Sequence, residues 1–264
     1  MMPIGVFDSG VGGLTVVAAL ERRLPGESIL YLGDTARLPY GTKSPATVVR
    51  YTRRNVDFLL GRGVKAVVLA CNTASALALE ALEAEAPPVP VWGVVEPGAR
   101  RAVEVSRGHV GIAATESTIL SDAYARTLRR LAPDLRVDSL ACPLFVPLVE
   151  EGWHDDPIAE QIAHRYLDPL LAAGIDTLVL GCTHYPLLAP TLRRVVGGEI
   201  ALVDSAETMA EVVAAGLERG GLLEPAGDPV VHVCVTDAGE RLARLARRIL
   251  GRDSVSLELV DVSG

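Results

Sequence analysis

The sequence predicts an α/β protein of two related, pseudo-symmetric halves, each a mostly parallel sheet flanked by helices. Three observations carry that expectation. Apolar β-type runs alternate with amphipathic helical stretches along almost the whole chain, as in parallel strands joined by helices. Of the 264 residues 49% are hydrophobic but only 4% aromatic, so Val, Leu, Ala and Ile fill the core, as in strands buried on both faces. Finally, Gly63-Val64-Lys65-Ala66-Val67-Val68-Leu69-Ala70-Cys71-Asn72-Thr73 is echoed by Gly174-Ile175-Asp176-Thr177-Leu178-Val179-Leu180-Gly181-Cys182-Thr183-His184. Each copy runs from Gly through an apolar strand to a Cys, at the strand edge where open α/β sheets bind ligands.

In chain order, apolar runs predict strands at 3–7, 28–32, 65–70, 89–94, 109–113, 136–141, 176–181, 201–203 and 230–235. Apolar residues at helical spacing predict helices at 14–24, 45–60, 74–85, 117–131, 156–172 and 207–219. A last helix, 238–250, carries arginines along one side, read as a solvated face rather than a nucleic-acid surface. A break at Glu96-Pro97-Gly98 and a return crossing at 204–208 divide the chain into 1–97 plus 208–264 and 98–207.

The net charge of −8 argues against nucleic acid or an anionic membrane as partner. The N-terminus shows no signal-peptide pattern, and the longest uncharged run, 177–192, is short of a membrane span and holds Pro186 and Pro190. A cytoplasmic protein is the expectation. Four cysteines, Cys71, Cys142, Cys182 and Cys234, are too few for a disulfide framework and are expected reduced.

Cys71 and Cys182 each stand at a strand end with a helix expected to follow. The N–H groups and partial positive charge of a helix N-terminus stabilise a thiolate. One such cysteine would be read as buried packing; two in matching positions are read as functional. Cys142 and Cys234 lie in or beside apolar runs and are assigned to the core. A metal site around Cys71 lacks ligands at short spacing, and Cys182 with His184 makes half a site at most. A redox disulfide lacks the C-x-x-C motif. The loop Asp8-Ser9-Gly10-Val11-Gly12-Gly13 can present backbone N–H groups to an anion. As a dinucleotide fingerprint, with Asp34 as the ribose acid, it fails because Thr15 replaces the last glycine. Asp8 at its strand end either orients a proton-transfer group or caps a helix; the spacing leaves both open.

Several blocks together resemble the glutamate racemases of the cofactor-independent aspartate/glutamate racemase superfamily. They are Gly5-Val6-Phe7-Asp8-Ser9-Gly10-Val11-Gly12-Gly13, Tyr31-Leu32-Gly33-Asp34, Pro39-Tyr40-Gly41, Ala70-Cys71-Asn72-Thr73-Ala74 and Gly181-Cys182-Thr183-His184-Tyr185-Pro186. Gly93-Val94-Val95-Glu96-Pro97, Cys142 to Glu150 and Val203-Asp204-Ser205 agree, while Ala114 and Ser117 depart from the family's commoner residues. The resemblance implies an active site in the cleft between the two domains, with Cys71 serving one face of the substrate Cα and Cys182 the other. It implies that Asp8 assists Cys71, and that His184 assists Cys182 with Glu150, or the adjacent Glu151, nearby. Ser9, Pro39, Tyr40, Gly41, Asn72, Thr73, Thr115, Thr118 and Thr183 match positions that hold the substrate. It further implies glutamate as the small-molecule partner, no cofactor or metal, a homodimer, and a role supplying D-glutamate for peptidoglycan. An aspartate or hydantoin racemase is the alternative within the superfamily, although His184 stands where aspartate racemases tend to show an acid. A binding or regulatory protein on this fold and a dinucleotide-dependent oxidoreductase are the alternatives of other classes.

Overall fold

The computed structural model describes residues 2–224 and 228–262; parts of the predicted 1–97 and 208–264 half, residues 1, 225–227 and 263–264, lie outside them. The strands are β1 (Ile4–Asp8), β2 (Ile29–Gly33), β3 (Ala66–Leu69), β4 (Val91–Gly93), β5 (His109–Ala114), β6 (Arg136–Ala141), β7 (Thr177–Gly181), β8 (Ala201–Val203), β9 (Val231–Val235) and β10 (Leu257–Leu259). The helices are α1 (Leu14–Arg23), α2 (Pro45–Gly61), α3 (Asn72–Ala84), α4 (Val95–Val105), α5 (Glu116–Leu120), α6 (Ala123–Leu131), α7 (Phe145–Glu150), α8 (Pro157–Ala172), α9 (Ala189–Val196), α10 (Ala206–Arg219) and α11 (Glu240–Leu250).

Two parallel sheets result. The first runs β10-β9-β2-β1-β3-β4 and the second β6-β5-β7-β8. Counted from its own first strand, the second sheet has the order 2-1-3-4, and the first contains the same order extended by β9 and β10. The echo in the sequence is thus an echo in topology: Cys71 follows strand 3 of one sheet and Cys182 strand 3 of the other. In both, the order reverses between strands 1 and 3, and the crevice at such a reversal is where open α/β sheets take ligands.

The strands read as continuous apolar runs because both faces are covered. Alternate residues of β1 to β3 divide cleanly. Ile4, Val6, Ile29, Tyr31, Ala66 and Val68 pack with α1 and α10. Phe7, Leu30, Leu32, Val67 and Leu69 pack with α2 and α3. In the second sheet Leu178 and Leu180 face α7 to α9, whereas Val110, Ile112 and Val179 face α4 and α6. Among the described residues, no helix is long and apolar enough to cross a membrane.

In three places the local structure differs from, or adds to, the sequence reading. The single helix predicted over 117–131 is two, α5 and α6, broken at Asp122, whose φ of 56° is left-handed. The Ser121 hydroxyl donates to Thr118 O (2.6 Å) and accepts from Ala123 N–H (3.2 Å), so a side chain replaces the helical ladder there. Glu96-Pro97-Gly98, read as a break, lies in the first turn of α4, where proline lacks no hydrogen bond because the first N–H groups are unpaired anyway. Short α7 and α9, and the three-residue β10, escaped the sequence reading because each is too brief to display a period.

Candidate active site

The carboxyl ends of β1, β3, β5 and β7 meet across the gap between the sheets and enclose a cavity of about 30 Å3. Ser9, Pro39, Tyr40, Gly41, Cys71, Asn72, Thr73, Thr115, Glu150, Cys182, Thr183 and His184 line it. Asp8 and Thr118 do not reach the lining but stand directly behind it. Gly10, Leu38 and Val146 also line the cavity and were not selected from the sequence, though each sits inside or beside a recognised block.

Asp8 is wholly buried at the end of β1. Its carboxylate accepts from Gly10 N–H (3.0 Å) and, across the cleft, from the Thr183 hydroxyl (3.2 Å). It does not cap α1, whose N-cap is Gly13 without a side-chain bond; the bond to Gly10 is a turn within the loop. The loop's glycines permit the close approach of the halves. A Cβ on Gly12 would lie 2.6 Å from Thr183 Oγ1 and 2.7 Å from His184 Nδ1.

Cys71 caps α3, accepting from Ala74 N–H (3.5 Å) and donating to Ser9 Oγ (3.5 Å). The N–H at the start of α3 favours the thiolate as expected, but other forces act against it. Burial pushes the Cys71 thiol up to about 12, the Asp8 charge adds to it, and the Ser9 and Ala74 contacts only partly offset both. The second cysteine is set differently. A 3-10 turn, Tyr185–Leu188, rather than an α-helix, follows the segment that carries it, and its sulfur lies 3.9 Å from His184 Nδ1. Burial opposes charge on His184, but the Cys182 sulfur and the Glu150 carboxylate outweigh it and push the imidazole up to about 10. Glu150 Oε1 is 3.5 Å from His184 Nε2, an ion-pair contact that leaves Nε2 without a hydrogen-bond partner. Burial works against the Glu150 charge, but His184 and Arg241 hold its carboxyl below the usual range. Glu151 points instead to Arg241, at 2.8 Å.

Arg241 was read as part of a solvated face. It reaches from α11 across to the second half, donating to Glu150 O (2.8 Å) and Oε2 (3.1 Å). Nothing in the helical period of 238–250 marks it, because its partner lies in the other half of the chain.

The remaining lining is hydroxyl and amide. Thr73, Thr115 and Thr118 form a triangle of Oγ1 atoms at 2.9, 3.1 and 2.9 Å. Tyr124 donates to Asn72 Oδ1 (2.6 Å), fixing the amide so that its Nδ2, which has no partner, is the free end. Tyr40 contributes its ring and backbone only: its hydroxyl donates to Asp34 and accepts from Asn55. Among the described residues, no lysine or arginine lines the cavity.

The two halves also touch closely at Gly41. A Cβ there would lie 2.6 Å from Thr115 Cβ, and Thr115 is held in the hydroxyl triangle, while Ser117 donates to Gly41 O (2.8 Å). Gly41→Ala is therefore expected to destabilise the protein by about 1–3 kcal/mol through overpacking and to raise KM. Thermal denaturation and steady-state kinetics measure the two effects.

The profile of the Asp/Glu/hydantoin racemase family matches residues 4–213. A glutamate racemase of Geobacter metallireducens is 53% identical over 250 residues, covering 94% of this chain and 92% of the relative. The crystal structure of glutamate racemase isoform RacE1 from Bacillus anthracis superposes with a TM-score of 0.94 at 41% identity, over 98% of this chain and 97% of that one. The Francisella tularensis glutamate racemase, solved in complex with D-glutamate, gives 0.94 at 36% identity, over 99% and 98% of the two chains.

Proposed function

Because the chain belongs to the Asp/Glu/hydantoin racemase family, we propose that it interconverts L- and D-glutamate without a cofactor, Cys71 and Cys182 transferring protons at opposite faces of Cα. The observation that carries this reading is the pair of thiols supplied to one cavity by equivalent strand ends of two topologically equivalent sheets. Glutamate is favoured because the Geobacter relative is a glutamate racemase and the Francisella one was solved with D-glutamate.

Inversion requires that a proton leave Cα on one side and another arrive on the other. Two fixed thiols do this with no moving base: one is thiolate, the other thiol, and their roles exchange with the hand of the substrate. If Cα–H is a weaker acid than a cysteine by ~12 pKa units, the gap alone is ~16 kcal/mol, which limits turnover to roughly 10 per second. The upward push on Cys71 leaves this unchanged: a more basic thiolate narrows the gap, but correspondingly less of it exists at neutral pH. Stabilisation must come from the lining. The unpartnered Asn72 Nδ2, with the hydroxyls of Ser9, Thr73 and Thr115, supplies donors for the substrate carboxylates and for the charge that develops on the α-carboxylate. Among the described residues, none of those in the lining is a lysine that could form a Schiff base. With the Asp8 carboxylate near Cys71, that residue rests as the thiol. His184, held charged, stands 3.9 Å from the Cys182 sulfur, and Glu150 in turn steadies His184.

By the same reading the protein is a cytoplasmic homodimer that supplies D-glutamate for peptidoglycan, its two domains being 1–97 with 208–264 and 98–207. The deciding experiment incubates the purified chain with L-glutamate in deuterated water and follows optical rotation and Cα deuteration by NMR. Loss of rotation with deuteration, and none with L-aspartate, is expected. Activity on aspartate alone overturns the substrate, and no exchange with either, from folded and reduced protein, overturns the racemase assignment.

A further inference from the structure

We propose that His232, Cys234 and Glu258 form a binding site for a divalent cation of the zinc type, remote from the cavity and clasping the last strand to its neighbour. None of the three lines the active-site cavity. His232 and Cys234 are two apart on β9, so their side chains share one face of the sheet. Glu258 lies on β10 directly opposite Cys234 in the parallel register. His232 Nε2 is 2.6 Å and Cys234 Sγ 3.7 Å from Glu258 Oε2, and the three ligand atoms lie within 4.8 Å of one another.

Tetrahedral zinc, with bonds of about 2.0–2.3 Å, places its ligand atoms about 3.3–3.8 Å apart. The sulfur–oxygen separation already fits. The nitrogen–oxygen separation must widen by about 0.7 Å to reach the tetrahedral range. Both groups are partly exposed, at 48% and 37% of side-chain surface, so both side chains have room to rotate. Thiolate, imidazole and one carboxylate are the donor set that favours zinc over calcium or magnesium. Arg62 donates to the other carboxylate oxygen, Oε1, at 2.9 Å, leaving Oε2 directed at the histidine and cysteine, as outer partners orient metal ligands. On binding, the Cys234 thiol gives its proton to solvent. β10 is a three-residue edge strand with β9 as its neighbour, and a cation bridging the two would hold the C-terminal segment to the sheet.

The test is a titration of the chelator-treated full chain with cobalt(II) alone, read by absorption. One equivalent is expected to give a thiolate-to-cobalt charge-transfer band together with tetrahedral visible bands. His232→Ala, at an exposed position, is expected to weaken binding by more than the roughly 10–100-fold that loss of an outer partner costs, and Cys234→Ser to remove the charge-transfer band. A Cys71→Ser/Cys182→Ser chain is expected to keep it. Absence of the band in the unaltered chain overturns the proposal. So does a band that survives both His232→Ala and Cys234→Ser, or one that disappears with the active-site thiols. His232→Ala alone decides if the buried Cys234 variant does not fold.

Discussion

Alanine at either Cys71 or Cys182 is expected to lower racemisation roughly 10⁴-fold or more, the upper end of what a positioned proton-transfer group contributes. Both thiols are needed in each direction, one to take the proton and the other to give it, so neither variant should spare one direction. Symmetry sharpens the test. The two enantiomers have equal free energy, so the equilibrium constant is one and kcat/KM must fall equally for L- and D-glutamate. The variants should differ only in exchange. The thiol left in place still touches one face of Cα, so each retains at most slow Cα–deuterium exchange without inversion, with one enantiomer, and with opposite enantiomers in the two variants. Chiral chromatography and NMR in deuterated water measure both quantities. Racemisation within tenfold of the unaltered protein in either variant would sink the two-thiol mechanism. Both cysteines are almost fully buried, so the serine variants, closer in size and polarity, accompany the alanines, and circular dichroism checks the fold.

His184→Gln is expected to reduce kcat/KM about 10²-fold, the lower end of the same range, because the thiol survives while its cationic neighbour is lost. The effect on kcat should be larger for the enantiomer that Cys182 deprotonates. The same variant carries a pH signature whose sign follows from the raised imidazole. Burial disfavours the charge of His184, yet the Cys182 sulfur and the Glu150 carboxylate push it from 6.5 up to about 10. A group raised on folding contributes stability that is fully present below its unfolded value and is lost as pH rises through its folded one. Urea denaturation of both proteins between about pH 6 and pH 10 should therefore show the unaltered chain more stable at the acid end, the difference shrinking with rising pH. A difference independent of pH would mean that His184 is neutral and that Glu150 does not hold its charge.

Much of the fold and of the cavity was legible because it is written locally. The runs at 3–7, 65–70, 109–113 and 176–181 announce strands buried on both faces, and the repeat ending in Cys71 and Cys182 announces the doubled topology. What failed was brief or borrowed. Three-residue β10 has no room for a period, and Asp122 breaks a helical pattern through a hydroxyl that no periodicity registers. Tyr40 sits in the lining, but its hydroxyl is directed to Asp34, a choice made by packing rather than by the Pro39-Tyr40-Gly41 block. Arg241 reads as one arginine of an amphipathic helix and becomes a partner of Glu150 because α11 meets α7.

The sequence by itself determined the two sheets, their parallel sense, and the placement of a cysteine at an equivalent strand end of each, since period and strand-end position depend on chain neighbours. The tertiary structure alone decided how the two cysteines differ. Asp8 comes from the first strand and Thr183 and His184 from the far half of the chain, and Asp8 meets the Thr183 hydroxyl behind the cavity that His184 lines only because the two sheets close on each other. Burial in that closure makes Cys71 a reluctant acid, and the Cys182 sulfur together with Glu150 keeps His184 charged. Charges felt across a few ångströms depend on distance in space and on the exclusion of water, and neither quantity is carried by the order of residues along a chain.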